Sequence, residues 1–138
     1  RAYSAYMKQI RFGFSQTYIS GTLCNQQEIT KKLVRLFELR FNPEKHNPEG
    51  FDALKEEVLK ELEDVSNLNE DRIIRRYIDL ISATLRTNAY VVNDEGGARP
   101  YLSLKFLALG SYPNAFSLMF QPQIFNPDSE HCFFQATP

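Results

Sequence analysis

Most of what would mark this sequence for a specialised chemistry is missing from it. No apolar run approaches the ~20 residues that cross a bilayer, and the stretch from Arg1 to Lys8 lacks the continuous hydrophobic core of a secretion signal. Neither sign of charge dominates. Sixteen basic side chains against 17 acidic ones leave a net charge of -1, so no global field draws the chain to polyanions or membrane surfaces. Cysteine is limited to Cys24 and Cys132, each without a nearby second thiol, which excludes a CxxC metal knuckle and a disulfide framework and reads as free thiols. The two histidines, His46 and His131, have no ligand partners at helical or turn spacing, so zinc binding and nucleophilic catalysis have no support. Paired glycines occur once, at Gly96 and Gly97, between two segments of strand character; they read as a hairpin turn and not as a phosphate-cradling loop. These absences predict a cytoplasmic chain with no nucleic-acid or membrane partner. They also predict no catalytic residue, no metal site and no cofactor-binding residue within the segment.

What is present is one ordinary core. With 138 residues, 43% hydrophobic and 13% aromatic, the chain supplies a single compact unit and not two independent ones. Its first 88 residues read as helical. Tyr3, Tyr6, Met7 and Ile10 recur at helical spacing over Ala2 to Phe12, and Tyr18, Ile19 and Leu23 do so over Ser15 to Cys24, with Ser15 as N-cap. Asn25 and Glu28 form a capping-box pattern ahead of Ile29, Leu33, Leu36, Phe37 and Phe41, and Asn42–Pro43 ends that helix. Asn47–Pro48 restarts one whose buried stripe is Phe51, Leu54, Val58, Leu62 and Val65. The charges on its other face, among them Glu56, Glu57, Glu61 and Asp64, read as a solvated surface and not as acid or base candidates. Asn69 is placed to cap a fifth helix carrying Ile73, Ile74, Tyr77, Ile78, Leu80, Ile81, Thr84 and Leu85, the most buried of the set.

At Asn88 the pattern changes. Tyr90, Val91 and Val92, then Asp94 to Gly97, then Tyr101, Leu102, Leu104 and Phe106 predict a β-hairpin. Beyond Leu107 the prolines at 113, 122, 127 and 138 interrupt short aromatic runs, Phe116 to Phe120 and Phe133 to Phe134, and predict one or two short strands. The expected fold is α+β: a helical layer of about five helices over 1–88, then a β-rich part over 89–138 with a divergent tail.

Several stretches in fixed order carry a resemblance. They are Arg1, Ala2, Tyr3 with Tyr6, Gln9 and Ile10; Phe14, Ser15, Gln16 with Tyr18 and Ile19; and Leu36, Phe37, Glu38 with Arg40, Phe41 and Pro43. The longest runs from Glu70 through Arg72, Arg75 and Arg76 to Ala83, Thr84, Leu85, Arg86, Thr87 and Asn88, followed by Pro100, Tyr101, Leu102, Ser103 and Lys105. In these residues the chain resembles the large bacterial NAD-specific glutamate dehydrogenases, from Arg1 to about Phe106, while Leu107 to Pro138 matches faintly. The resemblance implies a piece of a longer protein, running from the end of a helical regulatory region into the first strands of a catalytic domain. A chain that opens on Arg1, already inside a helical pattern, agrees with that expectation.

The family's reaction is oxidative deamination of glutamate. Hydride passes to the nicotinamide of NAD, and a pocket lysine of lowered pKa assists water attack on the imine. In the family those lysines lie in glycine-rich stretches downstream, so this segment is expected to bind no NAD and to be inactive alone. Its expected partners are the rest of the dehydrogenase chain and, in the parent, further copies in a homo-oligomer. The residues singled out are Arg72, Arg75, Arg76, Arg86, Asn88 and Lys105: the guanidinium groups suit bidentate contacts with carboxylates, either with partners inside the fold, the default reading, or in holding the helical layer against the catalytic domain, while Lys105 reads equally as an ordinary solvent-facing strand lysine. The competing expectation is a standalone helical interaction or regulatory module with an exposed aromatic tail.

Overall fold

The computed structural model describes residues 1–92, 96–97 and 101–107, and the backbone of 131–136. Five α-helices precede three strands: α1 Ala2–Gln9, α2 Gln16–Asn25, α3 Gln27–Phe41, α4 Pro48–Glu61, α5 Leu68–Ala83, β1 Thr84–Thr87, β2 Leu102–Leu107 and β3 His131–Ala136. The α+β order read from the sequence is therefore the observed one. Among the described residues, no helix is long and apolar enough to cross a membrane.

By packing, the chain divides into two compact units, Arg1–Gly13 with Ser82–Pro138, and Phe14–Ile81. The first unit is a three-stranded antiparallel sheet in the order β1-β2-β3, with α1 against β3. Its centre is aromatic. Tyr6 stacks on Phe106 with centroids 4.5 Å apart, and Tyr3 meets the same ring edge-on at 6.3 Å. The Tyr3 hydroxyl also shares a 2.9 Å hydrogen bond with Thr84 Oγ1, which gives the polar end of the ring a partner where Thr84 is fully buried. Leu104 and Phe106 have no exposed surface, as the period-two alternation of a strand with one covered face requires.

Helix α1 ends sooner than the apolar spacing to Phe12 suggests. Arg11 takes a left-handed φ of 52°, its N–H bonds the Lys8 carbonyl, and the Phe12 N–H reaches back to the Met7 carbonyl. That is a Schellman closure with arginine in the position glycine normally fills.

The second unit is helical. Ser15 Oγ accepts from Tyr18 N–H at 3.1 Å and Asn47 Oδ1 from Gly50 N–H at 2.9 Å, so both expected N-caps are in place, the second with Pro48 in the first turn. Helix α3 stops at Phe41 with Asn42 as its C-cap. Helix α5 contributes Ile73, Ile74, Tyr77, Ile78, Leu80, Ile81 and Ala83 to the buried set, more than any other element, as its broad apolar stripe predicts.

Four local expectations are corrected. The capping box at Asn25 does not form: α2 continues through Asn25, Gln26 stands at the N-cap of α3 without a side-chain bond, and Glu28 pairs with Lys31 instead. The cap of α5 is Asn67, whose Oδ1 accepts from the Asn69 N–H at 3.0 Å, and not Asn69. Helix α4 gives way to a 3-10 turn at Leu62–Asp64, so Val65 lies beyond it. Finally, α5 stops at Ala83 and the strand paired with β2 is Thr84–Thr87, not Tyr90–Val92. Thr84 and Thr87 are β-branched and favour extended backbone, and Tyr3 fixes the first of them. The ladder then closes at Asn88, after which the chain turns, with the Val91 N–H on the Asn88 carbonyl. Gly96 has the positive φ (78°) expected of its turn position. The third strand, His131–Ala136, takes in Phe133 and Phe134; the Phe116 to Phe120 run lies outside the described residues.

Candidate functional site

The six residues singled out from the sequence separate into two groups. Arg72, Arg75 and Arg76 lie on α5 within the helical unit, whereas Arg86, Asn88 and Lys105 meet on the β1–β2 ladder of the other.

On α5 the arginines have local partners. Arg75 Nε donates to Asp71 Oδ1 at 2.8 Å, one helical turn earlier. The Arg72 guanidinium sits 5.8 Å above the Phe14 ring, which itself stacks on Tyr18 at 5.7 Å. Arg76 is half-buried. A residue the sequence reading passed over does more on this helix. Glu70, buried in the first turn of α5, accepts from Asn25 Nδ2 at 3.1 Å and from Gln26 Nε2 at 2.9 Å, so one carboxylate fastens α5 to the junction of α2 and α3. Asn25 had signalled a cap; its amide serves a long-range bond instead, and no spacing within the sequence announces a pairing 45 positions away.

Two further ties link α3 and α4. Lys32 Nζ bonds both Glu57 and Glu61, and the Arg40 guanidinium lies 5.2 Å over the Phe51 ring. The hydrogen bonds that Lys32 donates to Glu57 and then Glu61 hold its amine above its ordinary pKa, and the first of them holds Glu57 below its own. Glu57 and Glu61 are therefore engaged and not merely solvated, a pairing that mixed charges on one helix could not reveal.

In the sheet unit, Asn88 grips the end of β2. Its Nδ2 donates to the Tyr101 carbonyl at 3.0 Å, its Oδ1 accepts from Ser103 N–H at 2.6 Å, and its backbone N–H bonds the Ser103 carbonyl at 3.3 Å. The side-chain amide thus stands in for one more peptide of β1. Arg86 is directly opposite Lys105 in the ladder. Arg86 is exposed and Lys105 half-buried.

Elsewhere the chemistry is sparse. Among the described residues, no group of three or more His, Cys, Asp or Glu is placed to hold a metal ion. Cys24 is a free, exposed thiol, and His46 is exposed with its Nδ1 3.0 Å from the Arg40 carbonyl. The side chains of His131 and Cys132 lie outside the described residues.

Comparison with known proteins supplies what the geometry alone lacks. A family described as glutamate dehydrogenase, helical motif 3, matches residues 1–43, and one described as bacterial NAD-glutamate dehydrogenase, catalytic domain, matches residues 57–125. The second match begins inside α4 and reaches past Phe106, so the likeness extends further along the chain than its most legible motifs. Over 106 residues the chain is 50% identical to an NAD-specific glutamate dehydrogenase of Halomonas elongata, covering 76% of this chain and 7% of that protein. It is 46% identical over 111 residues to one from Pseudomonas aeruginosa, covering 77% of this chain and 7% of that protein. With one from Mycobacterium tuberculosis it shares 37% identity over 105 residues, 72% of this chain and 6% of that protein. No solved structure gives a significant match.

Proposed function

The chain belongs to the bacterial NAD-glutamate dehydrogenase family, and from that premise we propose that it is a non-catalytic structural segment of an enzyme that oxidatively deaminates L-glutamate to 2-oxoglutarate and ammonia. The observation that carries the proposal is the join itself. The two family matches fall in sequence on one chain, and the chain spans about 7% of the length of the first two relatives. Among the described residues, Glu70 is tied to Asn25 and Gln26 and Lys32 to Glu57 and Glu61 on neighbouring elements, and Arg75 to Asp71 one turn earlier on its own helix. Groups held this way fix a framework.

In the parent enzyme, NAD and glutamate are then bound by polypeptide outside this segment. The segment's partners are the remainder of that polypeptide and, through it, the other subunits of a homo-oligomer in the cytoplasm. Arg72, Arg75, Arg76, Arg86, Asn88 and Lys105 act as positioning residues, the first three from α5 and the others from the β1–β2 ladder. Replacing Arg72 and Arg76 together by Gln in the intact dehydrogenase is expected to lower kcat while leaving the KM for NAD within about twofold, since a displaced framework misaligns reacting groups without touching the nucleotide. A change confined to the KM for NAD, with kcat intact, would contradict the reading.

A further inference from the structure

Arg72 is a cation whose charge its own helix does not answer. Both acids in the first turn of α5 are engaged elsewhere, Asp71 by Arg75 and Glu70 by Asn25 and Gln26. The positions from which a helical neighbour reaches Arg72 hold Leu68 and Asn69 on one side and Arg75 and Arg76 on the other, none of them acidic. Helix α2, which starts two residues after Phe14, has no charged residue over Gln16–Asn25. Among the described residues Arg72 makes no ion pair and no hydrogen bond, and it is exposed.

What holds the guanidinium is a ring. It lies 5.8 Å over Phe14, and Phe14 stacks on Tyr18 with centroids 5.7 Å apart and planes 15° from parallel. Contact with a ring face uses the charge of a guanidinium and leaves its N–H donors available to a carboxylate. Phe14 is half-buried, whereas Tyr18 is 40% exposed, so the stack ends in a ring open to solvent. Leu68, one turn before Arg72 on the same face of α5, is 71% exposed. These four residues all belong to the helical unit, and they set a fork of donors among apolar side chains.

From this arrangement we infer that Phe14, Tyr18, Leu68 and Arg72 form a docking surface for an acidic segment of the polypeptide outside residues 1–138. A carboxylate of that segment takes the Arg72 guanidinium, and an adjoining aromatic side chain packs on Tyr18. Charge complementarity selects the acid, since α2 and the neighbouring turns of α5 leave Arg72 without one. The length of the relatives supplies the polypeptide, because the chain spans about 7% of the first two. Arginine and tyrosine are also the side chains enriched at the tightly packed centres of protein interfaces. The inference rests on the dehydrogenase reading and gives the positioning role of Arg72 its chemical partner.

The test titrates the purified 138-residue chain with N-acetyl-aspartyl-phenylalanine amide and follows the Tyr18 ring protons and the Arg72 Nε–H by NMR. Saturable shifts at both are expected. Changing the aspartyl residue of the probe to asparaginyl, or its phenylalanine to alanine, should weaken binding about threefold or more. Arg72→Gln should bind the aspartyl probe no better than the asparaginyl one, and Arg72→Lys should fall between, with the charge kept and the fork lost. Both Arg72 and Tyr18 are exposed, so these variants keep the fold, and unmoved β2 amides check it. In the intact dehydrogenase, Tyr18→Cys should react with a maleimide about tenfold more slowly than in the 138-residue chain, because the docked segment covers it. Peptide mass spectrometry separates that thiol from Cys24 and Cys132. Absence of saturable shifts, equal binding of the aspartyl and asparaginyl probes, or equal reactivity of Tyr18→Cys in the two proteins overturns the inference. Shifts that grow with the concentration of the chain alone assign the surface to a second copy and overturn it as well. None of these readouts uses turnover, so failure of the dehydrogenase reading shows separately, as absent glutamate-dependent NADH formation by the intact protein.

Discussion

Arg11 and Glu70 show how single residues set the limits of elements here. Arg11 closes α1 in a left-handed conformation that costs an L-residue with a Cβ about 1–2 kcal/mol, and its φ of 52° leaves no doubt about the region. Arg11→Gly is therefore expected to raise stability by about 1 kcal/mol, seen as a higher urea midpoint with an unchanged slope. An unchanged or lower midpoint would show that the arginine side chain compensates. Glu70 acts in the opposite sense. Its carboxylate accepts two amide hydrogen bonds, and charge-assisted bonds of this kind contribute about 1.5–3 kcal/mol when both partners are buried. Asn25 is exposed and can recover water, so Glu70→Ala should cost nearer ~1–2 kcal/mol. Denaturant unfolding of the variant measures this directly, and a loss below about 0.5 kcal/mol would mean the clamp does not hold α5.

At the scale of elements, most of the organisation was legible. Period and punctuation located five helices because Ser15, Asn47–Pro48 and Asn42–Pro43 act through backbone bonds that lie within a few residues of them. What could not be read depends on distant partners. Asn25 was drawn away from a cap by Glu70, and Glu57 and Glu61 were drawn into ion pairs by Lys32. The helix-to-strand handover moved from Asn88 to Thr84 because Tyr3, far away in sequence, fixes Thr84 in the sheet. Of the candidate site, the residue identities were legible and the pairing was not: Arg86 against Lys105 follows from a bulge that no spacing rule predicts.

The α3–α4 tie makes a pH prediction at this scale. Glu57 lies below its ordinary value of 4.5, so its contribution is present above that value and is lost as pH falls through the lower folded value. Lys32 lies above 10.5, so its contribution is complete below that value and is lost only as pH rises through the raised folded value. The tie is thus intact across the whole neutral range. Lys32→Met should flatten both the acid and the alkaline edges of the urea-midpoint profile. Because these side chains face solvent, the effect is small and shrinks with added salt. Edges that stay as steep as in the unsubstituted chain would assign them to other groups.

For the molecule as a whole, the two packing units predict selective damage. Phe106 is fully buried and carries both the Tyr6 stack and the Tyr3 edge contact, so Phe106→Ala should cost about 3–5 kcal/mol, enough to unfold a marginal sheet. Amide hydrogen exchange should then show lost protection in α1, β1 and β2 with α3 and α4 retained. Equal loss in all helices would mean that the chain unfolds as one cooperative body.

On the proposed reading, the ties among the helices form a framework for an active site built from polypeptide outside these residues. The measurement that meets this claim most directly is NADH formation by the purified chain in the presence of glutamate and NAD. The same assay on the intact dehydrogenase serves as the positive control. No glutamate-dependent signal above buffer is expected from the chain, with full turnover in the control. Glutamate-dependent NADH production that copurifies with the chain, and persists after any host dehydrogenase is removed, would contradict the account.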